Sequence, residues 1–358
     1  MTSLKNQFAI TYTIKNELRL LPAAINYHMA AGCRKIYVFI DGTNDGTDEL
    51  VKSIDGVEIH KTCPPDDMLL TEKWILDISP MWKDNMDVRK RINTFRAAKM
   101  ANEEGIEWLA CIDPDELILP SVNDRIDLRM IPDFLGKIPA KFNQILLRNL
   151  ELVPSSEEAE NPFLAGKYFL NRFPVTEVIF RYSSALVRRA VNSPVMHAWY
   201  EHLFYKIRFF GLWPRLMQHP VTGEKIPTAF FLGYVNHKSI IRTNSFSKFN
   251  FDIHRWRKHE RKPTSIYVGH VLHYDLFDYK YMAHKFRQRS ENIVVKIFHC
   301  RHALTTIARD CSLEDVKKFF AGNIMLVNSK KINLLIKYRI VSEITCVRDF
   351  FLKSDERK

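Results

Sequence analysis

Asp113-Pro114-Asp115-Glu116 places three carboxylates in four consecutive positions, directly after the apolar stretch Leu109-Ala110-Cys111-Ile112. Like charges this close repel, so water or a cation has to make the arrangement tolerable. In an extended segment alternate side chains share a face, which sets Asp113 beside Asp115 and turns Glu116 away. Pro114 holds its own φ and biases Asp113 towards extended geometry. A carboxylate pair of this kind suits a hard divalent cation, Mg2+ or Mn2+, with substrate phosphates filling other positions. The plain alternative is a type I turn, Asp first and Pro second, leading into a capped helix.

The elements that would position this segment alternate in type. "FAITYTI" (8–14) reads as a buried strand and "LLPAAINYHMAAG" (20–32) as a helix, with Pro22 in its first turn and Gly32 as its stop. "KIYVFID" (35–41) is a second strand, followed by a short helix from Thr47 or Asp48 to Ile54 and a third strand, "VEIH" (57–60). A helical pattern over 84–102 then leads to the fourth strand, "IEWLACID" (106–113). Such alternation predicts an α/β fold with a mixed, mostly parallel sheet flanked by helices. Ligands of these sheets bind beyond the carboxyl ends of the strands. Here those ends carry Lys15-Asn16-Glu17, Asp41-Gly42-Thr43-Asn44-Asp45 and Asp113–Glu116, so three polar clusters converge on one edge. Turn chemistry alone would account for each cluster singly.

The second half is less regular. Strands are expected at 143–152 and 177–189, a strand with a turn over 230–242, and an extended stretch becoming helical over 269–289. Basic helices follow from about 292, including 313–320 and 330–340. The expected division is 1–295 as the catalytic domain and 296–358 as a basic helical C-terminal extension.

Composition narrows the function classes. At 358 residues, 46% hydrophobic and 26% charged, the chain has the balance of a globular protein with a substantial core. No apolar run approaches the roughly 20 residues that span a bilayer, and the N-terminus lacks a secretory pattern. The six cysteines (33, 63, 111, 300, 311, 346) form no CxxC pair, which argues for reduced thiols and against a zinc ribbon or disulfide scaffold. A cytoplasmic location is therefore expected. The net charge of +12, densest in "HRWRKHERK" (254–262), favours phosphate-bearing partners: nucleic acid, anionic lipid or small phosphorylated substrates. Trp108 reads as core, whereas Trp199, Tyr200, Trp213 and Trp256 either line an acceptor groove or fill the core.

Four stretches together carry a family resemblance: 13–50 ("TIKNELRLLPAAINYHMAAGCRKIYVFIDGTNDGTDEL"), 89–118 ("RKRINTFRAAKMANEEGIEWLACIDPDELI"), 237–242 ("HKSIIR") and 270–289 ("HVLHYDLFDYKYMAHKFRQR"). The chain resembles the nucleotide-sugar glycosyltransferases of family 2 type, which have the Rossmann-like GT-A fold, and in particular the branch with a KNE or KDE opening and a D-x-D-E motif. The resemblance implies a divalent metal, Mn2+ or Mg2+, and a nucleotide-sugar donor, a UDP-sugar first among them. By the same resemblance Thr13, Lys15 and Glu17 hold the nucleotide base, and Asp41 approaches the uridine or ribose. Asp113 and Asp115 form the DxD pair, with Asp115 ahead of Asp113 as direct metal ligand. Asn93, or Arg91 beside it, lies near the diphosphate, and Lys238 pairs with a phosphate. His273 completes the metal or diphosphate site, with His270 as the alternative.

The chain departs from the family pattern at Thr43, which stands where D-x-S-x-D has serine, and both offer a hydroxyl. No general base can be singled out among Glu177, Glu201, Asp252 and Asp275, although inverting transfer requires one. The implied acceptor is a glycan or a lipid-linked precursor, and the basic C-terminal helices suit an anionic membrane at its cytoplasmic face. Two rivals remain at this level. A nucleotidyltransferase would usually show a glycine-rich loop after its first strand, and "TYTIKNE" has no glycine. A non-catalytic basic protein binding nucleic acid or membrane would not need the carboxylates at all.

Overall fold

The computed structural model describes residues 6–171 except 124, 217–226 except 224, 237–291 except 254 and 258–261, and 299–355, with isolated positions between 183 and 203. The first main elements are β1 (Phe8–Ile14), α1 (Leu21–Ala30), β2 (Lys35–Ile40), α2 (Thr47–Lys52), β3 (Val57–Lys61), α3 (Met86–Glu103), β4 (Trp108–Cys111), β5 (Glu116–Leu119) and α4 (Met130–Gly136). There follow β6 (Gln144–Val153), β7 (Tyr168–Leu170), β8 (Lys238–Arg242), β9 (Ser265–His273), α5 (Tyr279–Glu291) and α6 (His299–Asp310). The chain closes with α7 (Leu313–Phe319), α8 (Ser329–Lys337), β10 (Val341–Glu343) and α9 (Cys346–Asp355). It divides into two units: Met1–Asn149 with Asn236–Leu272, and Leu150–Val235 with His273–Lys358.

In the first unit β3, β2, β1 and β4 lie side by side in parallel. β8 then pairs antiparallel with β4, and β6 antiparallel with β8. All seven residues of β1 and all four of β4 are buried. That is the condition of a parallel strand covered on both faces, and it explains why these segments read as continuous apolar runs. The register Ile14↔Ile40 and Thr11↔Cys111 brings the carboxyl ends of β1, β2 and β4 to one side of the sheet. This mixed, mostly parallel sheet flanked by helices is the architecture expected of a Rossmann-like GT-A fold.

α3 is the helix that matters most for the site. Asn85 caps it, its side chain accepting from Asp87 N at 2.9 Å. Val88, Ile92, Phe95, Ala98 and Ala101 recur every three or four residues and are buried in one core with β1, β2 and β4 residues. α1 ends where expected. Gly32 takes φ +96°, and a Cβ there would collide with the Leu128 carbonyl and the Pro132 ring.

Among the described residues β3 has one strand neighbour and forms an edge. Along it Lys35 Nζ lies 2.5 Å from Glu58 and 2.6 Å from Glu104, and His60 Nε2 lies 3.0 Å from Glu58.

In the second unit the end of β6 pairs antiparallel with β7, and β7 with β10. Leu170, Met282, Phe286, Ile307, Phe319 and Leu335 belong to its core. Ser312 caps α7 by accepting from Asp315 N at 3.1 Å. The strands expected at 177–189 lie outside the described residues, as does most of the stretch before β8. No helix among the described residues is long and apolar enough to cross a membrane.

Candidate active site

Asp113–Glu116 is a turn, not an extended segment. The Asp113 carbonyl accepts from Glu116 N at 3.0 Å, and the Glu116 carboxylate accepts in return from Asp113 N at 2.8 Å. Asp at the first position and Pro at the second fit such a turn, and the turn leads into strand β5 rather than a helix. The alternation expected for an extended segment is therefore lost. Glu116 does not face away, since carboxylate oxygens of Asp113, Asp115 and Glu116 all lie within 4.8 Å of one another. Asp115 is 4% exposed and Glu116 fully buried.

The cations that make this tolerable belong to the protein. Lys238 from β8 and Lys90 from α3 each bond one Asp113 oxygen, and Lys238 Nζ lies 3.0 Å from Glu116. Burial pulls the Lys238 pKa down, but Asp113 and Glu116 outweigh it and hold the pKa above the ordinary lysine value. For Asp113 burial acts upwards, yet Lys238 and Lys90 outweigh it and keep the carboxyl well below the usual range. Both groups are thus charged at neutral pH. Two lysines thus stand against the carboxyl groups of this turn.

The donor set fits a hard cation, being oxygen throughout, with Asp115 buried beside the turn. Asp113 has both oxygens engaged by lysines, so Asp115 is the better placed of the pair to ligate a metal.

The other two clusters of the first unit converge by bonding to each other. Asn44 N donates to Asn16 Oδ1 at 2.9 Å, Leu18 N to Asp45 Oδ2 at 3.1 Å, and Asn16 N to Thr43 Oγ1 at 3.4 Å. Asn16 sits at φ +59°, a conformation asparagine tolerates. Burial pushes the Asp45 pKa up, but the hydrogen bonds from Thr47 and from the backbone N–H groups of Thr47 and Leu18 bring it below the ordinary value. The Thr43 hydroxyl is part of this lacing and donates to Ile14 O at 3.4 Å.

Asp41 is clamped by Arg89, whose Nε lies 2.8 Å from Oδ1 and Nη2 3.0 Å from Oδ2. Arg89 Nη1 also donates to Trp82 O at 3.0 Å. Asn93, fully buried, donates to Thr13 Oγ1 at 3.2 Å and Thr62 Oγ1 at 3.0 Å, which ties the ends of β1 and β3 to α3. Its own Oδ1 has no partner among the described residues. Lys15 is exposed and Glu17 half-buried.

Arg91 turns to a short hairpin, where its Nε donates to Phe251 O at 2.7 Å and its guanidinium stacks 5.3 Å from the Trp74 ring. Asp252 of that hairpin accepts from Arg257 Nε at 2.8 Å. Burial and Arg148 lower the His270 pKa, so that ring is neutral. In the second unit His273 Nδ1 lies 2.8 Å from Glu151 Oε1, and Asp275 pairs with Lys285 at 2.6 Å. Glu177 and Glu201 lie outside the described residues, as do Trp199, Tyr200 and Trp213.

Sequence reasoning missed Lys90 and Arg89. The signal available was "RKR" (89–91) itself, because three clustered carboxylates demand cations. Successive helical residues point about 100° apart, so the three cations serve three different partners.

No family model matches the chain. It is similar to two curated proteins of Arabidopsis thaliana. One is glycosyltransferase-like At3g57200, 23% identical over 286 residues, covering 76% of this chain and 48% of that protein. The other is glycosyltransferase-like At2g41451, 22% identical over 284 residues, covering 76% of this chain and 54% of that protein. The chain spans about half the length of these relatives.

Proposed function

We propose that the chain is a metal-dependent glycosyltransferase that moves a sugar from a nucleoside-diphosphate donor, a UDP-sugar first, to a hydroxyl of a glycan or lipid-linked acceptor, with inversion. The observation that carries this reading is the Asp113–Glu116 turn at the carboxyl end of β4, with its three carboxyl groups and two lysines. The glycosyltransferase-like relatives support the same class.

In this reading Asp115 holds Mn2+ or Mg2+, and Asp113 and Glu116 fix the turn that presents it. A divalent cation in such a site offsets charge on the leaving nucleoside diphosphate. The laced loops after β1 and β2 form the nucleotide side of the site, with Thr13, Lys15, Glu17 and Asp41 facing the nucleoside and Asn93 setting the spacing of the strand ends. Lys238 serves as a fixed positive charge. His273 is a further ligand by resemblance, and a carboxylate on its Nδ1, here Glu151, is the usual means of orienting a metal-binding imidazole. The proton of the attacking hydroxyl goes to a carboxylate from the set Glu177, Glu201, Asp252 and Asp275. Residues 296–358 act as a basic extension that meets an anionic membrane surface.

A thermal-shift screen of UDP-, GDP-, CMP- and dTDP-sugars, with and without Mn2+, tests the reading. The expected result is a rise in melting temperature with one nucleotide class that depends on the metal and disappears in Asp115→Asn. If no nucleotide stabilises the protein in the presence of metal, the transferase reading fails. A nucleic acid or lipid ligand would then be the readout to pursue.

A further inference from the structure

Asp113 is shared by two ammonium groups that differ in freedom. Lys238 is 3% exposed, lies on a strand paired on both sides, and answers two carboxylates. Its departure would take a cation from both of them. Lys90 projects from α3 with 16% of its side chain exposed, and among the described residues Asp113 is its one partner. The cations beside it are committed, Arg89 to Asp41 and Arg91 to the Phe251 carbonyl. Lysine carries its charge on a flexible four-carbon stem and accepts a new oxygen partner readily. Of the two lysines on Asp113, Lys90 is therefore the one that can change partners at less cost.

What would make it change is charge. With two ammonium groups already at the turn, a bare divalent cation meets standing positive charge, and each Asp113 oxygen already accepts from a lysine. A diphosphate brings two or more negative charges to the same edge. Its oxygens compete for Lys90, and an Asp113 oxygen is released as they win.

Resting on the transferase reading, we propose that Lys90 is a phosphate-binding residue that exchanges Asp113 for the donor's diphosphate while Lys238 stays as the fixed counter-charge, so that metal and diphosphate bind together rather than in turn. Lys90 then contributes to donor affinity and also suppresses binding of metal alone. A purely structural lysine would do neither in combination.

Calorimetry on the full chain with UDP, GDP, uridine and Mn2+ as probes tests this, using wild type, Lys90→Gln and Lys90→Arg. One charge-assisted hydrogen bond to phosphate corresponds to about a tenfold change in affinity. Lys90→Gln is expected to weaken UDP in Mn2+ about tenfold, to leave uridine unchanged, and to tighten Mn2+ in the absence of nucleotide. Lys90→Arg should keep UDP affinity. The exchange is overturned alone if wild type binds UDP and Lys90→Gln matches it, if uridine weakens as much as UDP, or if Mn2+ alone does not tighten. A wild-type protein that binds neither UDP nor GDP with Mn2+ overturns the transferase reading and this inference together.

Discussion

Lys238 is the residue on which the carboxylate turn depends. Removing one partner of a buried ion pair leaves the other charge uncompensated, at a cost of about 3–5 kcal/mol. Lys238→Met removes a cation from both Asp113 and Glu116 while Lys90 still holds Asp113, so it should lower the unfolding free energy by up to that order, measured by urea denaturation at pH 7. Asp115→Asn contrasts with it. It keeps the shape and leaves the Lys90–Asp113 and Lys238–Asp113 pairs in place, so the expected outcome is a folded protein that has lost the metal-dependent nucleotide shift. The carboxylate cluster was legible because its composition is anomalous wherever it lies. Its geometry was not, since Pro114 suits the second position of a turn as well as an extended chain, and the reciprocal bonds of Asp113 and Glu116 select the turn. Nor could local spacing reveal Lys238, which lies 125 residues further on and arrives through strand pairing.

At the scale of elements, the alternating strands and helices of the first unit were readable because parallel strands buried on both faces are apolar without interruption. β8 lies within the stretch expected as strand and turn over 230–242, but its pairing was not readable, because its neighbours β4 and β6 are distant in sequence and antiparallel to it. α1 supports two predictions. Gly32→Ala should destabilise by more than 1 kcal/mol, because a side chain there meets both a positive φ and the Leu128 carbonyl. Thermal unfolding of that variant measures the cost. His28, fully buried on the same helix, accepts from Ile118 N at 3.2 Å and lies 2.8 Å from the Ala24 carbonyl. Burial lowers its pKa to about 3, against a partly opposing bond to Ala24. The unfolded chain, with an ordinary histidine near pH 6.5, thus takes up the proton first. Stability contributed by the neutral ring is complete above pH 6.5 and falls by about 1.4 kcal/mol per unit as the pH drops towards 3. Between pH 7 and 5, wild type should lose about 2 kcal/mol more unfolding free energy than His28→Gln.

For the whole molecule the net charge of +12 is the dominant quantity. In the second unit Lys330, Lys337 and Arg339 are exposed alongside Val327, Leu334 and Tyr338, the mixture of cations and apolar groups that suits a headgroup region. Sedimentation with vesicles rich in anionic lipid should be strong at low ionic strength and fall away as salt is raised, since surface attraction is screened within about 10 Å at 0.1 M. Failure to sediment at low salt would count against the membrane proposal while leaving the nucleotide tests untouched. Protein gathered on such a surface is crowded, and an edge strand is then the place where one copy could add itself to the next. β3 offers that edge, but Glu58, His60 and Lys61 stand on it and Lys35 binds Glu58 across it. A stacking neighbour would have to bury those charges against its own, which is the means by which open sheets resist fibre growth. Were the chain to gather on such a surface, this charged edge would keep one copy from adding its sheet to the next.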